Sequence, residues 1–330
     1  MNLELIHKGS VKDIYERSED ELLFRFSDRY SIFDWGEMPD EIPQKGSSLA
    51  LMGSKLLNYL NQRGFATHFI AQGADASELI VKKVDVPRGN IGIYQSRPHN
   101  ILIPLEVIYR FGLPKGSSLL KKYKSEAEWK AAGFERAYEE GEWLPEVKLS
   151  YTTKLERIDR DLSDEEAKHL AGMSEIEWQE LHFQASGIAK EIKKVFAEFD
   201  AQLWDGKLEF AFDNNRKIIL VDSIGLDEMR LTYDGIPLSK EILRQYYLNS
   251  SWYLALNKAK KESPEQFKEY CRTALKEEPK NLPIGVISGV SSLYRLASEL
   301  ILIDPLQKKE LQEQLKKNLN ETLSIISRQP

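Results

Sequence analysis

Lys207–Arg230, KLEFAFDNNRKIILVDSIGLDEMR, is the stretch on which the reading of this chain turns. Leu208, Phe210 and Phe212 alternate with Glu209 and Ala211, Ile218 to Val221 is rich in β-branched residues, and the charged turn formers Asp213 to Lys217 lie between them. This pattern predicts a β-hairpin. If Asn214 to Lys217 form a four-residue loop, Phe210 faces Val221, Phe212 faces Ile219, and Glu209 lies opposite Asp222. Two like charges side by side destabilise a strand pair unless a cation sits between them, and hard divalent ions take carboxylate oxygens. A loop one residue longer places the two acids on opposite faces. From this stretch alone, two solvated acids on an outer sheet face stand as the other reading.

With 330 residues the chain is long enough for two domains, and 42% apolar and 30% charged residues make an ordinary globular composition. A net charge of −6 supplies no global basic field for nucleic acid or an anionic membrane, which leaves small molecules as the expected partners. One cysteine, Cys271, excludes an intramolecular disulfide and a cysteine-rich zinc site and fits a reducing compartment. The histidines His7, His68, His99, His169 and His182 show no metal-ligand spacing, which argues against a zinc hydrolase. No apolar run approaches the length of a membrane span, and the N-terminus lacks an apolar signal core. A soluble, cytoplasmic protein is expected.

Residues 1–34 read as short strands, VKDIYE, ELLFRFS and DRYSIFD, the first opening at His7-Lys8-Gly9-Ser10. A glycine between lysines at such a turn can lay backbone N–H groups over a phosphate, although an ordinary hairpin has the same signature. The loop 28–49 holds Tyr30, Phe33 and Trp35, so it is expected to be ordered beside a site. A helix follows from Ser48 to Gly64, then strands in THFIAQG and ELIVKKVDV, where Lys82 and Lys83 point to opposite faces. Residues 87–100 read as an inserted loop. Arg110 closes the next strand beside a Gly116–Ser118 turn, an arrangement suited to phosphate. Helices are expected over 125–140, after a Ser163/Glu166 capping box, over 174–200 with Ile176, Leu181, Ile188, Ile192, Val195, Phe196 and Phe199 as the apolar side, and over SKEILRQYYLNSSWYLALNKA, which places Lys240 and Arg244 on one face. Leu311, Leu315, Leu319 and Leu323 stripe the last helix, as an internal packing face or a homo-oligomer contact.

Taken in order, these pieces resemble the SAICAR synthetase family of purine biosynthesis. GSVKDIYE resembles the family's GKVRDIY, DRYSIFD its DRISAFD, MPDEIPQKG its MPDGIPGKG, and IPLEVIYRFGLPKGS its PVEVVVRGYLTGS. YTTKLE is similar to TPTTKAE, KLEFAF to KFEFG, and VDSIGLDEMR occupies the place of IDEVLTPDSSR. The resemblance implies an α+β fold of two lobes, with antiparallel sheets and flanking helices, related to the nucleotide-binding lobes of kinases and ATP-grasp enzymes. Residues 1–85 would form the β-rich nucleotide-binding lobe and 86–330 the lobe with the magnesium and substrate site. The implied reaction is ATP-dependent: the carboxylate of the imidazole ribonucleotide CAIR is phosphorylated, and L-aspartate then displaces phosphate.

ATP and Mg²⁺ are the implied cofactors. Lys8, Gly9, Lys12, Lys82 and Glu106 would meet the nucleotide, and Glu209 and Asp222 the metal. Arg110, Ser117 and Arg230 would hold the ribonucleotide, with Lys240 and Arg244 on a helix that closes the site. Lys154 and Lys207 would lie near the reacting carboxylate, and Asp34 and Lys45 in the substrate loop. The chain departs from the pattern at Ala211, Ser223, Leu226 and Met229, has no recognisable His-Asp pair in LERIDRDLSD, and adds the loop 87–100. The substrate-side departures keep two alternatives open, a related carboxylate–amine ligase and a non-catalytic nucleotide-binding paralogue.

Overall fold

The structure is a computed structural model that describes residues 3–89, 91–156 and 159–328. Parts of the loop 87–100 and of LERIDRDLSD therefore lie outside the described residues. The strands are β1 (Glu4–Lys8), β2 (Lys12–Glu16), β3 (Glu21–Phe26), β4 (Phe69–Gln72), β5 (Glu78–Lys82), β6 (Ile101–Gly112), β7 (Trp143–Thr153), β8 (Asp161–Leu162), β9 (Ala201–Phe212), β10 (Ile218–Val221), β11 (Met229–Tyr233) and β12 (Ile236–Pro237). The chain divides into two compact units: residues 1–55, 70–81 and 233–330 form the first, and 56–69 with 82–232 form the second.

The first unit holds a five-stranded sheet in the order β1-β2-β3-β5-β4. Its β3 buries Leu22, Leu23, Phe24 and Phe26. The helix Ile284–Leu300 buries Val286, Val290, Leu293 and Leu296, and Pro305–Ser327 covers it with Leu315 and Leu319 of the leucine stripe. That stripe is internal packing at these two positions. The two helices approach so closely that a Cβ on Gly289 would lie 2.1 Å from Thr322 Oγ1, which explains a glycine in mid-helix.

Residues 233–330 belong to the first unit because of specific ties to its N-terminal part. Lys55 Nζ donates to the carbonyls of Ser298, Glu299 and Ile301 at 3.1, 3.3 and 2.9 Å, Asp40 accepts from Leu282 N–H at 2.7 Å, and the Tyr30 and Tyr247 hydroxyls are 3.1 Å apart. The resemblance implied one boundary, after residue 85; the compact units described here are non-contiguous instead, because these ties join residues far apart in the chain.

In the second unit the strands run β11-β9-β6-β7-β8, with β10 paired to β9. The pairs β6–β7, β6–β9 and β9–β10 are antiparallel. Helix Glu175–Ala197 packs on this sheet through Leu181, Ile188, Ile192, Val195 and Phe196. Its expected member Ile176 is 80% exposed; in the first turn it is Trp178 that packs on the sheet, 4.8 Å between ring centroids from Tyr151 of β7. The capping boxes at Ser163/Glu166 and Ser174/Glu177 are both formed.

Three further expectations change. DRYSIFD is not a strand; its Phe33 and Asp34 are left-handed (φ 55° and 61°), a bend incompatible with a ladder. The helix expected over 125–140 runs only from Glu126 to Ala131, because Gly133 turns left-handed and lets Trp129, Phe134 and Tyr138 meet in one apolar cluster. The helix carrying Lys240 and Arg244 is two helices, Glu241–Tyr247 and Ser251–Glu262, and Ser250 caps the second by accepting from Tyr253 N–H at 3.1 Å. Lys240 is the N-terminal cap of the first.

Candidate active site

The hairpin forms, but its register is not the expected one. Ile218 pairs with Phe212, Leu220 with Phe210 and Val221 with Glu209, so the connection is one residue longer than the four-residue loop. Strict alternation would now send Asp222 away from Glu209. Asp222 escapes alternation because it has left β10 and turned left-handed, with φ 65°. Its carbonyl accepts from His68 Nε2 at 3.0 Å, which fixes the bend. The Asp222 charge, second to burial, pushes the buried Glu209 carboxyl above the usual carboxylate range, so the two acids do share one field.

On the other flank of β9, the ladder pairs Glu209 with Glu106, Lys207 with Ile108 and Asp205 with Arg110. Period-two alternation puts Asp205, Lys207 and Glu209 on one face with Glu106 and Arg110. The Lys207 ammonium lies 3.0 Å from Glu106 and 3.1 Å from Glu209. Lys154, which directly follows β7, reaches Glu209 at 2.6 Å and Glu106 at 3.3 Å. Burial opposes the Lys207 charge, but Glu209, Glu106 and Asp222 outweigh it and hold the ammonium well above its ordinary range. The Glu106 carboxyl, despite burial, is held low by Lys207 and Lys154. The result is a pair of fixed cations clasped between carboxylates.

Further along the same face Arg110, 5% exposed, donates to Ser118 Oγ at 3.2 Å and to Ser150 Oγ. Its Nε and the hydroxyl of the fully buried Ser117 have no hydrogen-bond partner among the described residues. Buried donors left open in this way carry a desolvation cost that an anion would remove. Arg230 pairs through Nε and Nη2 with both oxygens of Asp205, the Nε distance being 2.7 Å. Asp205 was not singled out in the sequence, although its place two residues before Lys207 on an alternating strand signalled it.

The first unit gathers a second set. Lys260 Nζ donates to Asp34 at 2.6 Å, and against the opposing effect of burial Lys260, Arg244 and Lys240 hold that carboxyl below its usual range. Phe33 packs on Tyr253 at 4.7 Å between centroids, and Trp35 meets Trp252 edge to face at 5.4 Å. The segment 28–44 is thus ordered on aromatics, as expected, although it is shorter than the loop 28–49 read from the sequence because the next helix begins at Lys45 rather than Ser48. Lys45 begins the helix Lys45–Gln62, is fully buried, and lies 5.5 Å from the Tyr294 ring. Lys260 was missed because only the fold brings it to Asp34.

Lys8 and Lys12 flank the tight turn between β1 and β2. Gly9 N–H closes that turn onto Lys12 O at 3.0 Å, and a Cβ at Gly9 would lie 2.5 Å from the same oxygen, so only glycine fits. Lys82 is exposed at the end of β5.

The profile of the SAICAR synthetase family matches residues 5–259. The chain belongs to the SAICAR synthetase family. A protein of Archaeoglobus fulgidus is 35% identical over 94% of this chain and 99% of its own length. The phosphoribosylaminoimidazole-succinocarboxamide synthase of Thermoplasma acidophilum is 33% identical over 91% of this chain and 98% of its own. Among solved structures, a SAICAR synthetase in complex with ADP superposes with a TM-score of 0.59 at 25% identity, covering 83% of this chain and 99% of that one. The yeast SAICAR synthase complexed with SAICAR shares the fold, with a TM-score of 0.65 at 22% identity over 91% and 94% of the two chains.

The positions where this chain departs from the family pattern have local explanations. Ala211 and Leu226 are fully buried and Met229 is 3% exposed, so they serve as apolar packing. Ser223 Oγ instead donates to Glu228 at 3.1 Å. Among the described residues, no group of three or more His, Cys, Asp or Glu side chains is placed to hold a metal ion. The carboxylate pair still fits a magnesium ion that completes its shell with phosphate oxygens, since Mg²⁺ characteristically takes one or two carboxylates and substrate phosphates. The Asp222 charge that raises the Glu209 carboxyl is relieved by such a cation. No helix among the described residues is long and apolar enough to cross a membrane.

Proposed function

We propose that this SAICAR synthetase family member is an ATP-dependent ligase that joins L-aspartate to the carboxylate of CAIR, giving SAICAR, ADP and phosphate. The observation that carries the reading is the single face of β6 and β9 on which a lysine–carboxylate clasp and an arginine–serine anion pocket lie in line. Glu106 and Arg110 are separated by roughly 14 Å of strand at 3.4 Å per residue, the scale of a ribonucleotide.

The pocket of Arg110, Ser117 and Arg230 receives the ribonucleotide phosphate, with Asp205 orienting Arg230. This anchors the substrate so that its carboxylate arrives at Lys154 and Lys207. Those ammonium groups, held protonated by Glu106 and Glu209, neutralise the carboxylate and the phosphoryl group that joins it. A carboxylate oxygen attacks the γ-phosphorus and ADP leaves; the aspartate amine then attacks the acyl carbon, phosphate leaves with the C–O bonding electrons, and the amine loses a proton. Such phosphoryl transfer asks the protein mainly for positioning and charge neutralisation. Glu209 and Asp222 hold Mg²⁺, which when bound neutralises the nucleotide's phosphate oxygens.

On the first unit, Lys240, Arg244 and Lys260 around Asp34 offer the charge a substrate carboxylate needs, while Lys8 and Lys12 present theirs at the Gly9 turn. Purified protein with Mg²⁺ and ATP should release ADP only when CAIR and aspartate are both supplied. ADP release with another acceptor pair, and none with this one, overturns the reading.

A further inference from the structure

The turn that sets the hairpin register is held from outside by one side chain. Arg216 has a left-handed backbone, φ 59°, and a side chain only 10% exposed. Its Nε donates to Glu177 Oε1 at 2.6 Å, Nη1 to the Pro98 carbonyl at 2.6 Å, and Nη2 to the Gly172 carbonyl at 3.0 Å. The guanidinium also covers the Phe212 ring at 3.9 Å. A left-handed arginine persists only where its surroundings over-determine it, and here three separate segments do so. They are the loop 87–100, the turn before helix Glu175–Ala197, and that helix's first turn. A second tie runs through the backbone, where Asn100 N–H donates to the Asp213 carbonyl at 3.1 Å.

We propose that Arg216 is a positioning residue for the Glu209–Asp222 pair, and that the Pro98 carbonyl and the Asn100 N–H form the buttress through which it acts. The strands carrying the two acids leave this turn in opposite directions, and the place of the turn sets how far along β9 the bend at Asp222 falls. A slip of one residue would carry that bend roughly 3.4 Å along β9, away from Glu209. Arg216 prevents the slip by bonding the turn to a helix and a loop that do not move with the hairpin.

The inference rests on the metal reading above, and its test separates the two. Mn²⁺ binding to the ADP-loaded protein is measured by electron paramagnetic resonance, alongside amide hydrogen exchange over residues 209–222. Arg216→Met keeps the apolar stem over Phe212 but removes the fork; it should weaken Mn²⁺ by about ten- to a hundredfold, the range for groups that orient metal ligands, and quicken exchange in the hairpin. Arg97→Ala is the control, because Arg97 also bonds Glu177, at 2.9 Å, but sits outside the hairpin and is 48% exposed; it should change neither readout. Should Arg216→Met not fold, Glu177→Gln decides: its one amide oxygen serves the Ser174 cap, its N–H then faces the Arg216 Nε donor, and that bond is lost while the two carbonyl bonds of Arg216 remain, so it should shift Mn²⁺ in the same direction by a smaller factor. Unchanged Mn²⁺ affinity in Arg216→Met, or in Glu177→Gln where that variant decides, overturns the positioning role alone, as does an equal loss in Arg97→Ala. No Mn²⁺ binding by the wild-type protein overturns the metal reading and this inference with it.

Discussion

Glu106 and Glu209 stand directly opposite each other on β6 and β9, and the Lys207 ammonium touches both, at 3.0 and 3.1 Å. Two carboxylates facing across a ladder repel, and the lysine turns that repulsion into a stiff, charged seat. Lys207→Met should therefore lower kcat by about 10²–10³-fold, the range for removal of one preorganised electrostatic donor, with a smaller effect on the KM for CAIR. Steady-state kinetics with CAIR varied would show it. A loss confined to KM would assign Lys207 to binding alone.

Asp222→Asn removes the charge that pushes Glu209 up while keeping the bend that His68 holds. Turnover should vanish and thermal unfolding should stay cooperative, with the extra stabilisation by Mg²⁺ and ADP lost. Near-normal turnover would remove Asp222 from the metal site.

Ser117 offers a cleaner separation of stability from function. Its hydroxyl is buried without a partner among the described residues, so Ser117→Ala deletes a desolvation cost and no bond to them. Its melting temperature should equal or exceed that of the wild type. Binding of CAIR should weaken about tenfold or more, since a hydrogen bond to a charged group contributes ~1.5–3 kcal/mol. Calorimetric titration with CAIR would measure the second effect and a thermal melt the first.

His182 carries a pH dependence away from the reacting groups. Tyr151 OH and His182 Nε2 are 2.7 Å apart, and burial, offset in part by Asp164 and Glu175, lowers the imidazole below its ordinary value of 6.5. Between the lowered folded value and 6.5 the unfolded chain binds more protons, so stability falls as pH drops through that window and is fully present above it. In His182→Gln this segment of the slope should flatten. Chemical denaturation at a series of pH values checks it, and an unchanged slope would place the titration elsewhere.

The sequence disclosed the parts of this site that alternation and spacing can encode. Lys207 and Glu209 fall on one face by period two, and the Ser163 cap follows from its own glutamate. It did not disclose how Asp222 reaches Glu209, because one left-handed residue undoes the alternation on which the register argument stood. Nor could it find Lys260, whose distance of 2.6 Å from Asp34 depends on residues 226 positions apart. The buried departures Ala211, Leu226 and Met229 read as substrate-side changes in the sequence; burial shows that they answer to packing.

The non-contiguous first unit has a consequence for synthesis. A chain leaves the ribosome from its N-terminus, and domains made first generally fold first. Here the order is inverted: every residue of the second unit has been made once residue 232 is added, whereas the first unit lacks 233–330 until the end. The nascent β1–β3 ribbon must wait for the remainder of its unit, residues 233–330, which are translated later. A protein arranged in this way is exposed to chaperone capture through its opening residues, and a premature stop beyond residue 232 would release a finished second unit attached to an unfinished first.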